Sequence, residues 1–323
     1  MLTIEFYKYF LSHTFMNFEP QQPTPPQTEW VVARLNYAEP LEVFLVKSVK
    51  PFVNSLVQAG IVDRYFWQRS KVGGAHIIVA MRGNGQTLNE LVLPNLGEHF
   101  LRYVEDKPSR RAVDRADFEP NNSIQTEQYL PNTEGVGGNV GQPIFERFEQ
   151  ASSDAVLTFL AVKHDNWTSI ETAAIAIQLQ MGFLDSAGLD TADAAQFCEF
   201  YLAHYADEKF SPQLFEYIFK RHEPELFAFH KKTWTALKTG DLFEEKYFNR
   251  WLEQCYFATE DIRLTFRTRS LQTEPRFSAI WQIYAQFIKA TNKRLGLTGR
   301  HESLVFYVMM RALEQLCPVK KIA

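Results

Sequence analysis

Four side chains able to bind anions or move protons, Arg69, Lys71, His76 and Arg82, fall within one stretch, YFWQRSKVGGAHIIVAMR, running from Tyr65 to Arg82. Guanidinium groups grip carboxylates through paired hydrogen bonds, and an imidazole exchanges a proton near neutral pH. Arg69 and Arg82 could therefore hold a carboxylate while His76 shuttles a proton. That chemistry depends on how the chain pairs. Asp63 to Ser70 and His76 to Arg82 are β-favouring runs, and Gly73 and Gly74 between them supply the positive φ of a tight turn. Side chains alternate along strands, so Trp67 and Arg69 share one face, and His76, Ile78, Ala80 and Arg82 share a face of the partner. A cation cluster could form there. From the residues alone the plainer reading is favoured, with Arg69 and Arg82 as solvated strand ends and His76 as a turn residue.

Other chemistries have no foothold. There is no G-x-x-x-x-G-K-[ST], no G-x-G-x-x-G after a strand, no H-E-x-x-H and no G-x-S-x-G. His222 and His230 lie eight residues apart and read as surface or half-buried histidines rather than ligands. Cys198, Cys255 and Cys317 are far apart with no C-x-x-C spacing, and read as buried thiols in a reducing compartment. No metal and no cofactor are expected. A net charge of -4 gives no general drive towards nucleic acid or an anionic membrane. Neither an export signal nor an apolar run of membrane-spanning length is read, so a cytoplasmic protein is expected.

The elements that must position these residues follow from periodicity. Residues 1–28 form an N-terminal segment ending in a Pro-rich linker, and the ordered body begins near Trp30. Trp30 to Tyr37 reads as a strand. A helical stripe follows from Leu41 to Val57, which Pro51 should kink or restart. After the hairpin a second stripe runs from Leu88 to Val104, and Ser123 to Leu130 returns as a strand. The order is βαββαβ, an α+β class with a ferredoxin-like sheet covered by helices on one face. Lys107 to Asn122 reads as a mobile surface loop, with Arg110 and Arg111 as solvated charges. From Gln142 onward the chain reads as six or seven helices, with capping signals at Thr168 and Glu171 and at Ser211 and Pro212. The division is thus 1–28, a sheet region 29–131 and a mainly helical region 132–323, the last two forming one compact unit.

These motifs resemble, in order, those of the thiopeptide-type bacteriocin biosynthesis domain, which is also the C-terminal elimination domain of class I lantibiotic dehydratases. Phe66 to Ser70 and Gly74 to Ile77 resemble its F-[IF]-R-Y-x(n)-G-P-H-[IL]-R-L-R hairpin, and Trp30 to Leu35 its W-x-x-x-R-L strand. Tyr129 to Gly138 resembles Y-x-P-E-x-x-R-Y-G-G, Pro143 to Leu157 the following helix, and Lys293-Arg294-Leu295-Gly296 its N-R-L-G. The resemblance implies tailoring of a ribosomal precursor peptide: removal of glutamate from glutamylated Ser or Thr to leave dehydroalanine or dehydrobutyrine. His76 and Arg69 would be catalytic, and Arg82, Lys289, Arg294 and Glu134 would hold substrate. The implied partners are the precursor peptide and a separate glutamylating dehydratase, with no membrane and no direct nucleic-acid contact. A homodimer is left open.

The chain departs from this pattern where the chemistry needs cations. Ile78 and Ala80 replace two arginines of the hairpin, Gly135 replaces the arginine of R-Y-G-G, and Lys289 or a neighbour stands in for a histidine. Three readings result: a split elimination-type lyase, placed first as the family's commonest role; a pyridine-synthase-like [4+2] cycloaddition enzyme; and a non-catalytic leader-binding subunit.

Overall fold

The computed structural model describes residues 28–109, 119–163, 167–240, 246–267 and 276–317, except 39 and 132. Alternation drives the first half. Strands β1 (Thr28–Asn36), β2 (Val62–Ser70), β3 (His76–Asn84) and β4 (Ser123–Glu127) form one antiparallel sheet in the order β2-β3-β1-β4, as a ferredoxin-like βαββαβ chain does. Val31, Ala33 and Leu35 of β1, Tyr65 and Trp67 of β2, and Ile77, Val79 and Met81 of β3 bury one face. Two helices cover that face with Phe44, Val49, Val53, Leu88, Leu96 and Phe100.

Both covering helices are interrupted for the same reason. α1 runs as Leu41–Phe44, a π-turn Leu45–Val49 and Lys50–Gln58, and α2 as Gly85–Thr87, a π-turn Leu88–Val92 and Leu93–Asp106. Pro51 and Pro94 each sit just past the π-turn. A proline lacks an N–H, and its ring crowds the carbonyl four residues back, so the ladder widens by one residue there. The expected interruption at Pro51 is therefore a restart through a π-turn. Leu91 and Leu101, which belong to the apolar stripe by spacing, face solvent instead.

At the hairpin, Gly73 and Gly74 have φ of 69° and 106°, and Arg34 Nη2 donates to the Gly73 carbonyl at 2.8 Å. After α2, Asn121 and Asn122 bond the backbone of buried Ser109. Arg110 and Arg111 lie outside the described residues.

The second half has eight helices among the described residues rather than six or seven: α3 (Gly138–Lys163), α4 (Ser169–Ser186), α5 (Thr191–Tyr205), α6 (Pro212–Arg221), α7 (Glu223–Thr239), α8 (Lys246–Arg267), α9 (Arg276–Leu295) and α10 (Arg300–Leu316). The extra breaks are at His222, ahead of Pro224, and at Gly296 to Gly299, whose two glycines have positive φ. The expected caps form: Thr168 accepts from the Glu171 N–H at 3.2 Å, and Ser211 from the Leu214 N–H ahead of α6. Cys198 and Cys255 are fully buried and Cys317 partly so. No described helix is long and apolar enough to cross a membrane.

The two halves meet at β2, an edge strand with unpaired backbone groups. α3 supplies Ser153, whose Oγ accepts from the Trp67 N–H at 3.1 Å, and α9 supplies Arg294, whose Nε donates to the Trp67 carbonyl at 2.7 Å. Arg294 is fully buried and paired with Glu149 at 2.6 Å, with Ser152 and Ser153 taking further donors. Removing one member of a buried pair strands the other charge, at a cost of about 3–5 kcal/mol. Arg294→Met should lower unfolding stability by about that amount in urea titration, and adding Glu149→Leu should recover most of the loss.

Candidate functional site

The other face of the sheet is not covered by α1 and α2. Its apolar side chains, Val32 of β1, Phe66 of β2, and Ile78 and Ala80 of β3, form the floor of a cleft of about 540 Å³. Two helices wall it. α3 presents Gln142, Phe145, Glu146 and Glu149, and α9 presents Gln286, Lys289, Ala290 and Lys293, each an i, i+3, i+4, i+7 stripe. Tyr129 and Leu130 border one part of the mouth, and Leu297, Thr298 and Glu302 another. This volume lies within the usual range for ligand sites, and an apolar floor under a few fixed polar groups is their usual composition.

The polar groups are held from behind. Tyr129 stacks on Trp30 at 4.8 Å, donates to Glu146 at 2.8 Å and accepts from Gln142 at 3.1 Å. Burial, followed by that bond to Glu146, pushes its hydroxyl above the usual range. Glu149 accepts from Gln68 at 2.7 Å as well as from Arg294. Burial holds the Lys293 ammonium below the usual lysine range, against the pull of Glu149. Lys289 lies 4.6 Å from the centre of the Tyr205 ring. Glu302 accepts at Oε1 from Tyr201 at 2.8 Å and from Asn292 at 2.9 Å. Burial raises its carboxyl, while those two bonds and Lys289 oppose the rise.

Of the residues singled out from the sequence, Lys289 lines the cleft. The others do not. Arg69 pairs across the hairpin with Ile77, which puts it on the helix-covered face and away from His76, opposite Ser70. It bonds Glu42 at 2.8 Å and the Arg294 carbonyl at 2.7 Å. Arg69 and His76 therefore do not form a cluster. Arg82 is bidentate to Asp63 at 2.9 Å, at the far end of β3. Arg294 is consumed by the edge of β2. Glu134 is exposed in the turn before α3, and Gly135 beside it has φ of 73°, a conformation that suits glycine better than the arginine of the motif.

His76 is buried on the floor side of the sheet, short of the cleft. Its Nδ1 lies 2.8 Å from the Gly74 carbonyl, so that nitrogen carries the hydrogen. Glu302 was not singled out from the sequence, and Lys293 entered only as the first residue of the Lys293-Arg294-Leu295-Gly296 match, with no role given to it. The helical stripe of α9 also points to Lys293. Among the described residues, no group of three or more His, Cys, Asp or Glu could hold a metal ion.

A family model described as the lantibiotic biosynthesis dehydratase C-terminal domain matches residues 30–313. Among solved structures, TbtD, a pyridine synthase from thiomuracin biosynthesis, is similar with a TM-score of 0.73 at 17% identity, over 89% of this chain and 98% of that one. TsrL is similar with a TM-score of 0.65 at 14% identity, over 90% and 95%. MibB, a tRNA-dependent lantibiotic dehydratase from Microbispora sp. 107891, gives 0.64 at 16% identity, over 93% of this chain but 29% of its own. At these identities the likeness is one of fold. No curated protein sequence matches the chain.

Among the described residues two histidines, His76 and His230, are buried, and they make the protein sensitive to acid. Burial lowers the pKa of His76, and that of His230 to about 4. An unfolded histidine takes its proton near pH 6.5, so on acidification the unfolded chain binds more protons, and stability falls as pH drops. The melting temperature should fall between pH 7 and 5, and should fall less in His76→Gln and His230→Gln than in the parent.

Proposed function

Because the chain belongs to the family of lantibiotic biosynthesis dehydratase C-terminal domains, we propose that it tailors a ribosomally made precursor peptide bound in the cleft, by pyridine-synthase-like [4+2] chemistry. One observation carries this reading over glutamate elimination. Ile78 and Ala80, at positions where the elimination hairpin has arginines, form part of the apolar floor, and among the described residues no arginine lines the cleft. A departing glutamate carries two carboxylates and needs paired cations to hold it. Joining two dehydroalanines needs instead a dry, shaped surface that brings two alkenes together, and effective molarity supplies much of that rate. The near-complete overlap with a pyridine synthase of similar length supports the same reading.

Elimination, placed first on the resemblance alone, retains one favourable feature. Lys289 and Lys293 stand four residues apart on one face of α9 and could grip a carboxylate between them. The third reading is a subunit that binds the leader without chemistry.

Mass spectrometry of the precursor, incubated with its dehydrating partner in the presence and absence of this protein, separates the three. Conversion of a dehydroalanine-bearing precursor to a macrocycle, with release of the leader, is the expected result. Loss of glutamyl adducts to leave dehydrated residues would overturn it in favour of elimination, and unchanged masses with tight leader binding would leave the scaffold. Ile78→Arg should reduce conversion at least about tenfold by placing an unpaired charge on the apolar floor, while Arg82→Ala, outside the cleft, should stay within about twofold of the parent.

A further inference from the structure

The acids that line the cleft are not alike. Glu149 is neutralised by Arg294 at 2.6 Å. Glu146 has the Arg64 guanidinium at 3.5 Å, and Glu127 has that of Arg34 at 3.7 Å. Glu302, at the start of α10, has no guanidinium partner among the described residues. Its Oε1 takes both of its bonds, from the Tyr201 hydroxyl and the Asn292 amide, which are neutral donors. Gln180 Nε2 donates to Asn292 Oδ1 at 2.8 Å, and this fixes which way the Asn292 amide faces. A chain from α4 through α9 thus orients one carboxyl that lines the cleft. The titratable groups acting on it are Tyr201 of α5 and Lys289 of α9, whose ammonium lies over the ring of Tyr205.

We propose that Glu302 is the catalytic proton-transfer residue of the cleft, held in place by Tyr201, Asn292 and Gln180. This inference rests on the precursor-tailoring reading above. In release of the leader from the newly closed ring, the protonated carboxyl gives its proton to the departing amide nitrogen as the C–N bond breaks with its electron pair on nitrogen. The carboxylate then takes a proton from the adjacent ring carbon, whose C–H electrons form the last ring double bond. Glu302 ends protonated as it began, and the leader leaves as a carboxamide. Burial among neutral donors favours the protonated acid that the first transfer needs.

The test uses the full chain and the dehydrated precursor. Glu302→Gln keeps an oxygen for Tyr201 and Asn292, so it should bind precursor within about twofold of the parent. Its conversion should fall about 100-fold or more, the usual scale of general acid–base catalysis. Tyr201→Phe removes a donor that stabilises the carboxylate, so the acid persists to higher pH and the alkaline limb of the rate profile should move upward. Parent-like conversion by Glu302→Gln would overturn the assignment and leave the tailoring reading intact. A slow Glu302→Gln alongside an unmoved limb in Tyr201→Phe would overturn it too, marking Glu302 as structural. Absence of conversion by the parent would remove the tailoring reading, and this assignment with it.

Discussion

A buried cation needs partners for its donors, and at the junction of the two halves each guanidinium nitrogen of Arg294 has one. Its guanidinium reaches Glu149, Ser152 and Ser153 on α3 and the backbone of β2 at Trp67. The backbone carbonyl of the same residue accepts from Arg69. An open strand edge and a buried charge are each costly alone. Joined, they satisfy one another and set the distance between the sheet and the two helices that wall the cleft. The floor, the α3 wall and the α9 wall all refer to this one contact.

The same tie explains why the conspicuous arginines of the hairpin lie outside the cleft. Arg69 and Arg294 interlock the edge of the sheet with the helical half, and Arg82 is held by Asp63. What remains facing the cleft is apolar below and polar at the walls. Such a floor offers little to an anion and much to a folded peptide whose reacting groups are uncharged.

Within the walls, electrostatics separates the acids by their neighbours. Glu146 and Glu149 have guanidinium partners in Arg64 and Arg294. Glu302 has neutral donors instead, burial raises its carboxyl, and the amides behind it turn an ordinary glutamate into an oriented one.

Much of the architecture was legible from the chain itself. β-favouring runs in Trp30 to Tyr37 and in the hairpin, helical stripes between, glycines at 73 and 74, and the cap at Thr168 are local signals, and each acts over a few residues. The order of the family motifs likewise identified the fold. Two kinds of fact lay beyond that reach. Strand register decides which side chains share a face across β2 and β3, and it separates Arg69 from His76, although the two are close in sequence. Long-range packing then decides which polar groups meet: Tyr201 and Glu302 are 101 positions apart, and Arg294 and Trp67 are 227 apart. Local propensity cannot encode such pairings, because they form only when burial forces distant donors and acceptors to find each other.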